Sequence, residues 1–165
     1  MANRMGSPAP QHSGSSSGKP GAGGAGGAGG AETSAKVEVH NNRGEIEGVE
    51  SRLLAAMTAR QYPEASVFAV RLALEEAIVN AFRHGHKDRP GEPVRIEFDV
   101  GADKVTLAIE DRGPGFDPAS VPDPTTDDRL ELPTGRGLLL MRAYMARVEY
   151  VGRGNRVEMD YLRPK

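Results

Sequence analysis

The chain has 165 residues, 38% of them hydrophobic, and a formal net charge of −2 at pH 7. This length and apolar content suit one soluble domain, and we expect no room for a second. The absence of cysteine excludes disulfide bonds, thiol catalysis and thiolate metal sites, and the slightly acidic balance gives no electrostatic reason to expect direct nucleic-acid binding.

The first segment, residues 1–35, is predicted to be a disordered tail. Its long runs of Gly, Ala and Ser contain almost no large apolar side chain, so burial cannot offset the entropy of ordering them. The segment lacks the apolar stretch of a secretory signal, and no later segment is long and apolar enough to span a membrane. We therefore expect a cytoplasmic protein whose folded domain runs over residues 36–165.

A short strand and two helices are predicted to open the domain. Alternating valines indicate the strand around residues 37–39. A helix over about 45–60 follows, because four apolar residues recur at spacings of three and four: Ile46, Val49, Leu53 and Met57. Pro63 suits the first position of a second helix, which has no internal Gly or Pro and is predicted to continue to His84.

The second half of the chain predicts a sheet. Apolar residues alternate over 94–100 and 105–109 with turn residues between them, which is typical of a hairpin. Residues 117–134 are rich in proline and aspartate without a regular period, as in a lid or a disordered insertion. A helix over 138–145 and a hairpin centred on 152–155 complete the domain. The predicted fold class is α+β, a two-layer sandwich whose mixed or antiparallel sheet carries helices on one face.

The second helix carries two polar residues one turn apart, Glu76 and Asn80, which therefore share a face that Glu75 does not. The amide oxygen of Asn80 suits magnesium, a hard cation that bridges nucleotide phosphates. Glu76 is suited to orient or deprotonate a nucleophile near a γ-phosphate. The alternative is a solvated polar stripe. Arg83, on nearly the same stripe, is either a phosphate contact or a surface residue.

Residues 111–116 have the sequence Asp-Arg-Gly-Pro-Gly-Phe and follow the second hairpin strand directly. The Asp111 carboxylate at the end of a strand can accept a hydrogen bond from a ligand amino group. Gly113 and Gly115 lack Cβ atoms, so the backbone can turn with positive φ and a flat ligand can approach closely. Taken alone, this motif is equally consistent with a tight turn.

Residues 134–138 form a third motif just before the predicted last helix. The amides of Gly135 and Gly137 can point at phosphate oxygens, where the helix start adds partial positive charge. Thr134 can contribute a hydroxyl group, and Arg136 either pairs with phosphate or faces solvent. The chain has no Gly-x-x-x-x-Gly-Lys-Ser/Thr run, so this is not a P-loop. His84 and His86 lack an obvious third ligand, so no zinc site is expected, and His84 is assigned a capping or packing role.

In this order, the motifs at 75–85, 111–116 and 134–138 resemble the N, G1 and G2 boxes of the Bergerat-type ATP-binding fold. The resemblance covers about residues 36–163 and is closest to the single-domain anti-sigma-factor serine kinases. It implies ATP and magnesium as cofactors, Glu76 as the catalytic base and Asn80 as the magnesium ligand. It also implies that Asp111 accepts the adenine amino group. The implied ATP-binding set is Asn80, Asp111, Gly113, Gly115, Thr134, Gly135, Arg136, Gly137 and Leu138.

The resemblance implies an ATP-dependent serine/threonine kinase that phosphorylates a small anti-anti-sigma (STAS-type) partner and sequesters a sigma factor, as a homodimer. A histidine kinase would need a helical dimerisation segment with a phospho-accepting histidine, and gyrase-like ATPases need a transducer domain; this sequence suggests neither. The alternative function is a non-catalytic ATP-binding module that acts by sequestering a partner protein.

Overall fold

A computed structural model describes residues 32–115 and 133–165, with the side chains of 133–136 outside the description. Along the chain the described elements are β1 (Ser34–Val39), α1 (Arg43–Ala59), α2 (Glu64–Asn80), a π-helical turn (Ala81–Gly85), β2 (Val94–Val100), β3 (Lys104–Glu110), α3 (Pro133–Tyr144), β4 (Arg147–Val151) and β5 (Arg156–Leu162). None of the helices in these ranges is long and apolar enough to cross a membrane.

The five described strands form one sheet in the order β1-β2-β3-β5-β4. Every pairing is antiparallel, so of the two predicted sheet types, mixed and antiparallel, the antiparallel one is correct. In the central register, Ile96 lies opposite Val37 on one side and Ile109 on the other. Strand β3 lies in the middle of the sheet and ends at Glu110, which places Asp111 at its carboxyl end.

One face of the sheet packs on the helices to form the core, and its strands contribute every second residue. The largest fully buried side chains include Leu53, Leu74, Ile96, Leu107, Met141 and Met159. Burying each such side chain contributes about 1.5–3 kcal/mol. The opposite face carries ion pairs, such as Lys36 and Arg156 with Glu97. The predicted α+β sandwich with helices on one face is therefore confirmed.

Capping residues set where the first two helices begin. Helix α1 starts slightly earlier than predicted, because the side chain of Asn42 accepts hydrogen bonds from the backbone N–H groups of Gly44 and Glu45, at 2.9 and 3.3 Å. Pro63 precedes the first residue of α2 as a cap with extended backbone. The predicted helix start at Pro63 is confirmed to within one residue.

The end of the second helix differs from the prediction of a regular helix to His84. The α-helix stops at Asn80 and residues 81–85 form a π-helical turn, closed by the backbone N–H of His86 donating to the carbonyl of Ala81 at 3.1 Å. A π-helical turn contains an extra residue, which local helix propensity does not predict. Its consequence is that Gly85 and His86 lie against the turn that follows β3.

The starts of two other elements differ from the predictions. Strand β1 begins at Ser34, so it includes the last two residues of the segment predicted to be a tail. Helix α3 begins at Pro133, which places residues 134–137 in its first turn rather than before it. Proline suits the first turn of a helix, because its missing N–H would be unpaired there in any case. The predicted lid over 117–134, except for its last two residues, and the predicted tail up to residue 31 lie outside the described residues.

Candidate functional site

The second helix and its π-helical turn connect the three sequence motifs in space. Helix α3 packs along α2, and Gly137 lies directly over Glu76 and Asn80. At the end of the π-helical turn, Gly85 lies against Asp111 and Gly113. Segments that are far apart in the chain are therefore brought into contact with α2 and its π-helical turn.

Asp111 is held through its backbone by the hairpin between β4 and β5. Its N–H donates to the carbonyl oxygen of Asn155 at 2.9 Å, and its own carbonyl oxygen accepts from Asn155 Nδ2 at 2.6 Å. The carboxylate Oδ1 accepts from the backbone N–H of Gly113 at 2.7 Å. The other oxygen, Oδ2, accepts no hydrogen bond from the described residues and is available to a ligand donor.

Burial is the largest influence on the ionisation of Asp111 and raises the pKa of its carboxyl group above the ordinary aspartate value. The N–H of Gly113 and the charge of Arg153 act in the opposite direction but do not cancel the effect of burial. The charged form is thus incompletely compensated by the protein. A donor on a bound ligand would supply the missing compensation.

The glycines around Asp111 are required by close approach of protein atoms. A Cβ on Gly85 would overlap the Asp111 carboxyl group, and one on Gly113 would overlap the carbonyl oxygen of Gly85. Gly115 adopts the predicted positive φ, +77°, and lies against the carbonyl of Arg153. Gly113 does not adopt positive φ, so for that residue the prediction is wrong, and its small size is what the fold uses.

Glu76 and Asn80 lie on one face of α2, and both are half-buried. A Cβ on Gly137 would overlap Glu76 Oε2 and would lie 3.4 Å from Asn80 Nδ2. Neither side chain forms a hydrogen bond or an ion pair with another described residue. Glu75 differs, because it pairs with Arg71 at 2.6 Å. The fold therefore leaves the polar groups of Glu76 and Asn80 available, while it uses Glu75 for a surface ion pair.

The described residues include no group of three or more His, Cys, Asp or Glu side chains that could hold a metal ion. Magnesium does not need such a group, since it keeps several waters and takes its remaining oxygens from one or two side chains and from substrate phosphates. A single half-buried amide such as that of Asn80, facing the start of α3, fits a magnesium ion that arrives with a nucleotide.

Residues 39–161 match the family model described as the histidine kinase-like ATPase domain. The chain belongs to this family. Among curated proteins, it is 37% identical over 83 residues to the anti-sigma F factor of Clostridium beijerinckii, covering 48% of this chain and 57% of that protein. It is 31% identical over 86 residues to the serine-protein kinase RsbW of Oceanobacillus iheyensis, covering 48% of this chain and 54% of that protein. The matches thus span little more than half of these relatives.

The remaining residues predicted to contact ATP lie near the start of α3. Residues 134–136 belong to its first turn, and their side chains fall outside the described part. Gly137 is buried, and Leu138 is half-buried against the core, which assigns it a packing contact. Arg83 and His84 are exposed on the π-helical turn. The nucleotide roles of residues 134–138 stay predictions.

Two further residues contribute to this candidate site, and the sequence motifs do not indicate either of them. The sequence places Asn155 only in a hairpin turn, yet this residue makes both backbone-anchoring hydrogen bonds to Asp111. The sequence suggests His86 only as half of a metal pair, yet its buried ring lies against the Asp111 turn and accepts the backbone N–H of Arg112. Both contacts join residues far apart in sequence, so no local pattern indicates them.

Proposed function

We propose that this domain is an ATP-dependent protein serine/threonine kinase that acts as an anti-sigma factor. The observation that carries the proposal is the pair Glu76 and Asn80. Both are half-buried, unpaired within the described residues and covered by Gly137. A half-buried carboxylate that makes no hydrogen bond or ion pair with the fold is free to act on a bound substrate. The names of the similar proteins, a serine-protein kinase and an anti-sigma F factor, support the same assignment.

Each residue has a distinct role in the proposed reaction. Asp111 Oδ2 would accept the adenine amino group, and the amide oxygen of Asn80 would hold a magnesium ion, which would neutralise phosphate charge. Glu76 accepts the proton of the substrate hydroxyl as its oxygen attacks the γ-phosphorus atom. The bond from that phosphorus to the β–γ bridging oxygen breaks, so that the products are a phosphoprotein and ADP.

The proposed protein substrate is a small anti-anti-sigma domain of the STAS type, and the proposed second partner is a sigma factor that the domain sequesters. We further propose that it acts as a homodimer. The similarity to anti-sigma F factors supports these partners. The second candidate function is a non-catalytic ATP-binding module that only sequesters its partner. It would use Asp111 and Asn80 in the same way but would not need Glu76.

The first test uses the whole chain with γ-labelled ATP, magnesium and a partner protein recovered by affinity capture. Wild type is expected to transfer label to a serine or threonine of the partner. Asn80→Ala is expected to weaken ATP binding about tenfold or more with magnesium and to change it little in EDTA, because only the cation contact is lost. A wild type that binds ATP and its partner but transfers no label would favour the sequestering module. Equal loss in EDTA would contradict the magnesium role of Asn80.

Asp111→Asn tests the adenine contact. Wild type is expected to prefer ATP over GTP, because guanine presents a carbonyl oxygen where adenine presents its amino group. The variant is expected to lose about 10- to 100-fold in ATP affinity, since an unsatisfied buried polar group costs about 1–3 kcal/mol. Calorimetry with both nucleotides measures this. Equal wild-type affinities for ATP and GTP, or an unaffected variant, would exclude Asp111 from the base pocket.

Without nucleotide at neutral pH, the Asp111→Asn variant is expected to be more stable than wild type. The pKa of Asp111 is raised mainly by burial, so the protonated form favours folding and this contribution is lost as pH rises through the raised pKa. The stability advantage of the asparagine variant should therefore shrink as pH falls from that value toward the ordinary aspartate pKa of about 3.9. Urea unfolding at a series of pH values measures it, and a variant less stable than wild type at pH 7 would contradict the expected sign.

A further inference from the structure

We propose that His86 is a positioning residue of the nucleotide site, which holds the Asp111 turn from below and thereby sets the discrimination between adenine and guanine. The proposal deepens the proposed function and rests on it for the identity of the ligand. Its evidence comes from the hydrogen bonds and burial of a side chain that none of the three motifs assigns to the nucleotide.

His86 is fixed in place on several sides. Its side chain is almost fully buried, with the residue 3% exposed. Its backbone N–H closes the π-helical turn by donating to Ala81. Its ring packs edge-on against Phe82, with ring centroids 5.6 Å apart and planes at 72°. The ring nitrogen Nε2 accepts the backbone N–H of Arg112 at 3.0 Å. The imidazole is therefore a rigid acceptor aimed at one peptide group.

The two ring nitrogens show what this histidine contributes. Because Nε2 accepts a hydrogen bond, the neutral ring carries its proton on Nδ1. Nδ1 is buried and has no hydrogen-bond partner in the described part of the chain. An unpaired buried donor is unfavourable, and an apolar side chain at position 86 would avoid it. The contact that a leucine could not reproduce is the hydrogen bond from Arg112.

The peptide that His86 holds lies between the two residues that shape the base pocket. Asp111 is anchored on one side by Asn155, and its carboxylate is tied forward to the N–H of Gly113. The N–H of Arg112 belongs to the peptide that joins Asp111 to Arg112, and it donates to His86 Nε2. The Arg112 side chain points outward instead, toward Glu38 and Glu92 at 3.0 and 3.2 Å. Together these contacts fix the direction of Asp111 Oδ2.

A fixed carboxylate discriminates better than a mobile one. When Oδ2 cannot turn away, a guanine carbonyl oxygen placed opposite it is left without a donor and repelled, whereas an adenine amino group is bound. If the Arg112 N–H were released, the turn could rotate, which would weaken the contact with adenine and relieve the penalty for guanine. His86 therefore acts on the ratio of the two affinities through Asp111 and does not touch the nucleotide itself.

The test compares His86→Leu and His86→Gln in the full chain, with His84→Leu as the matched control on the exposed side of the same turn. Calorimetry gives the affinities for ATP and GTP in magnesium. His86→Leu is expected to lower the ratio of ATP to GTP affinity about tenfold. His86→Gln is expected to restore much of the ratio, since its amide oxygen can accept from Arg112. His84→Leu should leave it unchanged.

Two measurements without nucleotide separate this proposal from the proposed function. In wild type, nitrogen-15 spectra should show the neutral His86 ring protonated on Nδ1, and the Arg112 amide should exchange slowly. Exchange should accelerate in His86→Leu. A folded His86→Leu with an unchanged affinity ratio, or a wild-type ring protonated on Nε2, would overturn the proposal. If His86→Leu does not fold, the His86→Gln ratio and the tautomer decide. Failure of wild type to bind either nucleotide would overturn the proposed function instead.

Discussion

Gly85→Ala is expected to remove ATP binding, with at least a 100-fold loss of affinity, whereas Gly91→Ala should bind like wild type. A methyl group on Gly85 would overlap the Asp111 carboxyl group, whereas one on Gly91 meets no atom within 4 Å. The φ of Gly85 is not positive, so the expected effect comes from steric overlap alone. Displacing the carboxylate would misplace the proposed adenine acceptor and would cost about 1–3 kcal/mol of folding free energy. Calorimetry and urea unfolding measure the two effects.

A double substitution provides the control for this mechanism. If the clash is with the carboxyl group, Asp111→Ala should recover much of the stability that Gly85→Ala loses, because neighbouring residues couple through their contact. ATP binding should not recover, since the proposed adenine acceptor is absent. Additive losses of stability would show that the methyl group clashes elsewhere, and wild-type ATP affinity in Gly85→Ala would contradict the close approach seen at Asp111.

Glu76→Gln is expected to slow phosphate transfer by roughly 100-fold or more while leaving ATP affinity nearly unchanged, because the amide cannot accept the hydroxyl proton. Glu75→Gln is the matched control. It lies next in sequence but pairs with Arg71 on the surface, so its transfer rate should equal that of wild type. Single-turnover transfer of labelled phosphate to the captured partner separates the chemical step from binding.

The outcomes of the Glu76 experiment distinguish the two candidate functions. Equal transfer by Glu76→Gln and wild type would remove Glu76 from the chemistry, although the protein would still be a kinase. Absence of transfer in wild type, together with normal binding of ATP and partner, would instead support the sequestering module. In that case Glu76→Gln should still capture the partner as well as wild type does.

The sequence by itself determined the elements whose signals are local. Alternation over 94–100 and 105–109 predicted β2 and β3, because successive strand residues face opposite sides of a sheet. Recurrence at three and four residues predicted α1 for the corresponding reason. Helical geometry also placed Glu76 and Asn80 on one face and Glu75 on another. The order of the three motifs was sufficient to indicate the ATPase-domain family, which the match over 39–161 shows.

Tertiary structure decided how the candidate site is assembled. The π-helical turn after Asn80, the contact of Gly85 with Asp111 and the Asn155 anchor could not be inferred from the sequence. Each depends on which atoms of a distant segment lie opposite. An extra residue in one helical turn redirects the side chains that follow it, and here Gly85 and His86 lie against the turn after β3. Local propensity thus determined the helices and strands, and long-range contacts determined the direction of the Asp111 side chain.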